Sequence, residues 1–203
     1  MRLSGLEAGV FVVLLAVSVF LFGRRLAAVL RRVRRSKPDA DFQLRPILPR
    51  LRKFVWEVLL QAKVIRERPW PGLAHAFVFW GFCAFALVTV NHFSAALGWR
   101  LLSPHGVGGF YFGFAAVFAV AVAVSIAGLA ARRFLVQPKW LGEVSYESGL
   151  IAFLIFALMA TYLAQFGLAE GSASARANWW LHTLALLIFL PVIPRTKHLH
   201  LVL

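Results

Sequence analysis

The chain has 203 residues, 61% of them hydrophobic and 15% charged. That much apolar surface exceeds what a soluble domain of this length needs, so composition excludes an ordinary soluble enzyme and indicates an integral membrane protein. A formal net charge of +14 would point to nucleic acid in a soluble chain. Here the basic residues are sorted between loops in a way that excludes it.

About 20 apolar residues cross the hydrocarbon of a bilayer, and five segments reach that length. The first, 6–23, is not a secretory signal, because its arginines (Arg24, Arg25, then Arg31 to Arg35) follow the apolar run instead of preceding it. A basic stretch from Arg24 to Lys37 comes next and stops at Pro38-Asp39-Ala40-Asp41. It reads as a solvated surface attracted to anionic lipid, or alternatively as a docking surface for a soluble partner. Residues 51–66 then predict one amphipathic helix lying in the interface. Leu51, Phe54, Val55, Val58, Leu59, Ala62 and Ile65 share a face, opposite Arg52, Lys53, Glu57, Gln61 and Arg66. Pro69 and Pro71 end it.

The remaining spans are predicted at 72–98, 109–131, 149–168 and 178–194. Apart from Glu7, the five interiors hold no Lys, Arg, Asp or Glu. The whole chain, 1–203, is expected to be a single membrane domain with an inner-surface segment at 24–71. Of its 22 basic residues, 19 fall in alternate loops on one side; Arg2, Arg100 and Arg176 are on the other. The positive-inside rule therefore predicts an N-terminus outside and a C-terminus inside. Trp70 and Trp140 on the inner side, and Trp99, Trp179 and Trp180 on the outer, fit an aromatic belt. Trp80 is mid-span. The single cysteine, Cys83, rules out an internal disulfide or a cysteine-built cluster.

Four histidines carry the functional reading. His75 and His92 bracket the second span, and His182 and His200 bracket the fifth. At ~1.5 Å rise per residue the pairs are separated by about 25 Å and about 27 Å. In antiparallel helices His75 is then level with His200, and His92 with His182. Buried imidazoles are costly unless they are functional or hydrogen-bonded, and two facing imidazoles are a b-type haem ligand set. Eighteen residues at about 100° each bring His200 onto the face of His182, whereas His198, its alternative, lies about 160° away. His92 is about 100° from the face of His75. His105 sits in a loop turn. One or two haems b are thus expected in a four-helix-type bundle, with propionates reaching Arg66, Arg68, Arg132, Arg133, Arg195 or Lys197. Asn91, Tyr162 and Gln165 are candidate quinone contacts near the outer side. Gly81, Gly109, Gly113 and Gly128 suit close helix approach.

The segment from Arg68-Pro69 through Gly72-Leu73-Ala74-His75 to Phe79-Trp80-Gly81-Phe82, with the ending Pro194-Arg195-Thr196-Lys197-His198-Leu199-His200, resembles the membrane domain of Fe–S-linked respiratory oxidoreductases. These are the electron-transfer-flavoprotein:menaquinone oxidoreductases and heterodisulfide-reductase-like proteins. Their membrane domain is similar to the gamma subunit of respiratory nitrate reductase, a five-helix cytochrome b. The resemblance matches His75 to a second-helix haem ligand, and His182 and His200 to the two fifth-helix ligands. The family's other second-helix ligand falls at Phe85, so an outer haem would use His92 instead. It also implies an all-α cytochrome in a bacterial or archaeal inner (cytoplasmic) membrane. That protein exchanges electrons between quinone or menaquinone and a cytoplasmic Fe–S protein, separate or fused to this chain.

The expected function is therefore membrane electron transfer, with lipid, quinone and an Fe–S protein as partners and no nucleic acid. Two rivals are a haem-free anchor for a soluble enzyme and a small transporter, the latter disfavoured by the absence of acidic residues and repeat symmetry in the spans. Topology is directly testable. A reporter fused after Leu203 should be active only on the cytoplasmic side; periplasmic activity there would mean an even number of crossings or an inverted chain.

Overall fold

A computed structural model describes residues 3–37, 43 and 45–196. In chain order the helices are α1 (Gly5–Arg35), α2 (Ile47–Phe54), α3 (Ala62–Glu67), α4 (Pro69–Ala96), α5 (Val107–Ala131), α6 (Tyr146–Ala164) and α7 (Ala173–Val192). Among the described residues there is no strand, and α1, α4, α5, α6 and α7 are long and apolar enough to cross a membrane. This is an all-helical, multi-pass membrane protein. The predicted spans all fall on these five helices.

Two boundaries differ from expectation, for local reasons. The first helix does not end with its apolar run but continues through the arginines to Arg35. Arg and Leu are good helix formers, and Arg32, Arg34 and Arg35 in the last turn suit the negative end of the helix dipole. Its start is set by a capping box, in which Ser4 and Glu7 exchange side-chain and backbone hydrogen bonds. At the other end of the chain, α7 begins at Ala173, where Ser172 caps it, five residues earlier than the apolar pattern suggests.

The interfacial helix expected over 51–66 is broken. After α2 the chain widens into a π-helical turn over Val55–Leu59, closed by Leu60 N–H donating to the Val55 carbonyl at 2.9 Å. Gln61 then takes a left-handed conformation (φ 55°) and α3 starts again. The break frees the Leu59 carbonyl, which accepts from the indole N–H of Trp80 on α4 at 2.8 Å. The Gln61 amide donates to the Val58 carbonyl at 2.6 Å. Periodicity reports which face is apolar, but not where a partner helix takes over a backbone acceptor. Here α3 folds back on the start of α4, and a Cβ at Gly72 would overlap the Val64 carbonyl.

Helices α4, α5, α6 and α7 form the bundle, each packed on the next, around a core that includes Phe85, Val122, Leu154, Leu158, Met159 and Phe189. Helix α1 lies outside it, against α7. Three contacts fix their relation: Arg176 with Glu7 (3.2 Å), Ser18 Oγ donating to the Leu187 carbonyl (2.7 Å), and Arg25 donating to the Pro194 carbonyl (3.4 Å). All three join residues 169 apart, so the two helices run parallel and in register. Because α4 to α7 alternate in direction, an α1 parallel to α7 is what an odd number of crossings requires. The ends of α1 and α7 therefore share one end of the bundle, called the basic end below.

Gly81 fixes the spacing of α4 against α5. Any Cβ there would overlap a methyl of Val122, so its smallness serves close helix packing. Gly113, on α5, has open space around it. We expect Gly81→Leu to destabilise the bundle by roughly 1–3 kcal/mol through overpacking, and Gly113→Leu to leave it unchanged. Thermal unfolding of the purified variants in detergent checks this, and equal effects at the two positions would contradict the packing described.

Candidate functional site

Facing α4 and α7 enclose a cavity of about 320 Å³, within the range of small-molecule and cofactor sites. Its α4 wall is His75, Val78, Phe79, Phe82, Phe85, Thr89 and Phe93, residues spaced three or four apart so that one helix face supplies them all. From α7 come His182, Leu186, Phe189 and Leu190, while α5 and α6 close the back through residues such as Val122 and Met159. The lining is almost wholly apolar, with one imidazole from each facing helix.

At the end away from the basic residues, α4 and α7 meet through their histidines. The rings of His92 and His182 lie edge to face, with centroids 5.1 Å apart, and His92 also stacks on Trp179 at 5.1 Å. Depth along the helices predicted that these two would be level, and they are. Each imidazole has a threonine. His182 Nδ1 is 2.8 Å from Thr161 Oγ1, and His92 Nε2 is 2.8 Å from Thr183 Oγ1. Both hydroxyls are already committed as donors to helix carbonyls: Thr161 to Ala157 (2.6 Å) and Thr183 to Trp179 (2.8 Å). A hydroxyl has one proton, so each threonine accepts from its histidine. This sets the tautomers, with the proton on Nδ1 of His182 and on Nε2 of His92. The lone pair of His182 is then on Nε2. A histidine that donates one ring N–H to a fixed acceptor and offers the other nitrogen is arranged as metal-binding histidines are.

His75 lines the same cavity but lies 17 residues before His92, about 25 Å along the helix. It therefore cannot share a metal ion with His182. The cavity has two levels, His75 toward the basic end and His182 toward the other. His198, His200 and Lys197 lie outside the described residues, so the predicted partner of His75 does too. Among the described residues no three His, Cys, Asp or Glu side chains gather into a metal cluster, which leaves imidazoles as the donor set. At the level of His75 the apolar walls and single imidazole suit a flat macrocycle. At the other level, metal–imidazole bonds of about 2 Å on opposite faces of one ion put ring centres roughly 6 Å apart. His92 and His182 would have to separate slightly, and His92 would have to turn, to hold an iron between them.

The other sequence candidates are elsewhere. Arg133 donates to the carbonyls of Leu141 (2.7 Å) and Glu143 and so holds the loop between α5 and α6. Arg66, Arg68, Arg132 and Arg195 do not line the cavity, and Arg195 faces α1. Asn91 accepts from the backbone of Leu102 at 2.7 Å, Tyr162 donates to the Phe112 carbonyl at 2.8 Å, and Gln165 donates to the Tyr162 carbonyl at 2.8 Å. Asn91, Tyr162 and Gln165 thus tie the chain together outside the cavity. Trp180, expected in the lipid belt, donates to Glu7 at 3.3 Å. Sequence reading passed over Thr161, Thr183 and Trp179 as partners of the histidines. The available signal was a threonine directly after His182 and another one apolar helix away.

No family model and no solved structure matches the chain. A curated relative is the "EtfAB:quinone oxidoreductase" of Syntrophomonas wolfei subsp. wolfei, 28% identical over 237 aligned positions that cover 93% of this chain. The chain spans 31% of that relative's length. It is thus similar, over nearly all of itself, to about a third of a quinone oxidoreductase.

The threonine geometry makes a prediction. Thr161→Val removes the hydroxyl acceptor of the His182 N–H, leaving it the Leu158 carbonyl alone, and should cost about 1 kcal/mol, the net worth of one hydrogen bond, whereas Thr161→Ser should restore it. Denaturant or thermal unfolding of the three proteins gives the comparison; a Val variant as stable as the parent would contradict the assigned hydrogen bond.

Proposed function

We propose that this chain is the membrane electron-carrying part of a quinone-linked oxidoreductase, and that the cavity between α4 and α7 is a haem b site. The observation that carries the proposal is an apolar cavity offered one imidazole by each of two facing helices, in a chain similar to part of a quinone oxidoreductase. Haem b, when bound, supplies reversible one-electron storage within the bilayer.

On this reading His75 and His200 hold the group at the basic end, with His198 as the alternative to His200. A second site would use His92 and His182, which already meet at one depth but are too close for an iron as they stand. The protein's own work is positioning and exclusion. Thr161 keeps the Nε2 lone pair of His182 available. Phe79, Phe82, Phe85 and Phe93 keep water from the cavity, which favours an electron-storing site of low dielectric. Phe82, 43% exposed, stands at the lipid side, where a quinone headgroup could approach the cavity. Arginines and lysines at the basic end, on the cytoplasmic side by the positive-inside rule, would steer a soluble Fe–S protein or fused domain. The haem-free anchor remains the rival, since threonine-bonded histidines need no metal to be stable.

A visible reduced-minus-oxidised spectrum separates the two. The purified chain should show a b-type signal, His75→Ala should remove a haem that pyridine haemochrome analysis can count, and His182→Ala should remove a second. With Thr161→Val the signal should persist with a shifted midpoint potential, and Thr161→Ser should return it. A colourless protein would establish the anchor reading. A single haem untouched by His92→Ala and His182→Ala would restrict the site to the level of His75.

A further inference from the structure

The basic end holds a second cavity, separate from the one between α4 and α7. It is a cleft of about 430 Å³ between α1 and the end of α7, lined by Arg24, Arg25, Ala28, Arg31 and Arg195. Four of its five lining residues are arginines. Two have their positions set by neighbours: Arg24 lies 6.0 Å from the centre of the Phe20 ring, and Arg25 donates to the Pro194 carbonyl at 3.4 Å. Glu57 and Glu7 are paired elsewhere, with Lys53 and Arg176, and no carboxylate is among the residues that line this cleft.

Four like charges held together by the register of α1 on α7 repel one another unless an anion joins them. Guanidinium groups take phosphate in two-point hydrogen bonds, and a basic pocket at the ends of membrane helices is suited to a lipid headgroup. Position selects the source of the phosphate. Arg24 follows directly on the apolar run of α1, which places the cleft at headgroup depth. Further up the same helix Val13, Val17 and Phe20 are exposed, by 62%, 50% and 64%, and offer an apolar track for acyl chains.

We propose that this cleft is a specific site for the phosphate headgroup of an anionic membrane phospholipid, which links α1 to the end of α7. The site is independent of the haem proposal, because Arg24, Arg25, Arg31 and Arg195 are not in the other cavity.

The test uses the full chain reconstituted in phosphatidylcholine nanodiscs containing phosphatidylglycerol, released into mild detergent and read by native mass spectrometry. Phosphatidylglycerol should be retained in preference to phosphatidylcholine. Retention should fall about fivefold for each arginine removed in R195Q, in R24Q/R25Q and in R24Q/R25Q/R195Q, and should hold in R34Q/R35Q, which removes from α1 outside the cleft the same two charges as R24Q/R25Q. Equal loss in R34Q/R35Q would mean diffuse attraction and overturn the site. Displacement of the lipid by millimolar inorganic phosphate would make it a free-anion site and overturn the lipid assignment. If lipid retention ignores all these variants while R24Q/R25Q/R195Q loses a co-purifying acidic protein, the cleft is a protein-docking surface and the proposal fails.

Discussion

Within a bilayer, a polar group without a partner in the protein has no water to turn to, and that constraint organises this molecule. Two imidazoles, His182 buried and His92 half-buried, lie where α4 meets α7. Each is made tolerable by a threonine whose own proton is given to its helix backbone. The same rule appears at three places where the backbone departs from regular helix. The carbonyl released at Leu59 is taken by Trp80, the amide of Leu102 by Asn91, and the loop carbonyls at Leu141 and Glu143 by Arg133. Side chains that resemble ligand-binding groups are, in several cases, the partners this constraint demands.

The histidine contact also explains the shape of the cavity. His92 joins α7 at one end of α4 through Trp179, His182 and Thr183. Beyond that junction the two helices are held by their other neighbours, α5 and α6, and face one another across apolar space. Gly81 lets α4 press against α5 and leaves its histidine-bearing face turned toward α7. A bundle in which successive helices pack, but the first and last do not close fully, leaves an apolar cavity between them.

Helix α1 stands outside this arrangement yet decides the character of the basic end. Glu7, Ser18 and Arg25 hold it parallel to α7 in one register. Its continuation past the apolar run carries arginines alongside Arg195. Charge that would be a diffuse feature of a loop is thereby concentrated into a cleft. The contact at Glu7 joins the opposite end of α1 to Arg176 and Trp180, so α1 is fastened at both ends.

The number and position of the spans were legible in the sequence, because about twenty uninterrupted apolar residues have few alternatives to crossing a membrane. The levels of His92 and His182 were legible too, since helical rise converts spacing into depth whatever the tertiary packing. Rotation about the helix axis was not. The phase difference between His75 and His92 counted against the latter, and the structure places His92 against Trp179 and Thr183 and leaves the cavity wall to residues in phase with His75. Only the tertiary structure decided the break at Gln61, the tautomers of His92 and His182, and the hydrogen-bond partners of Asn91, Tyr162 and Gln165. Each depends on which neighbour supplies a hydrogen-bond partner, and a one-dimensional pattern gives the depth of a residue in its own helix but not the identity of the helix beside it. The parallel register of α1 and α7 belongs to the same class. It joins residues 169 apart, and apolar periodicity, repeating every few residues, carries no information over that distance.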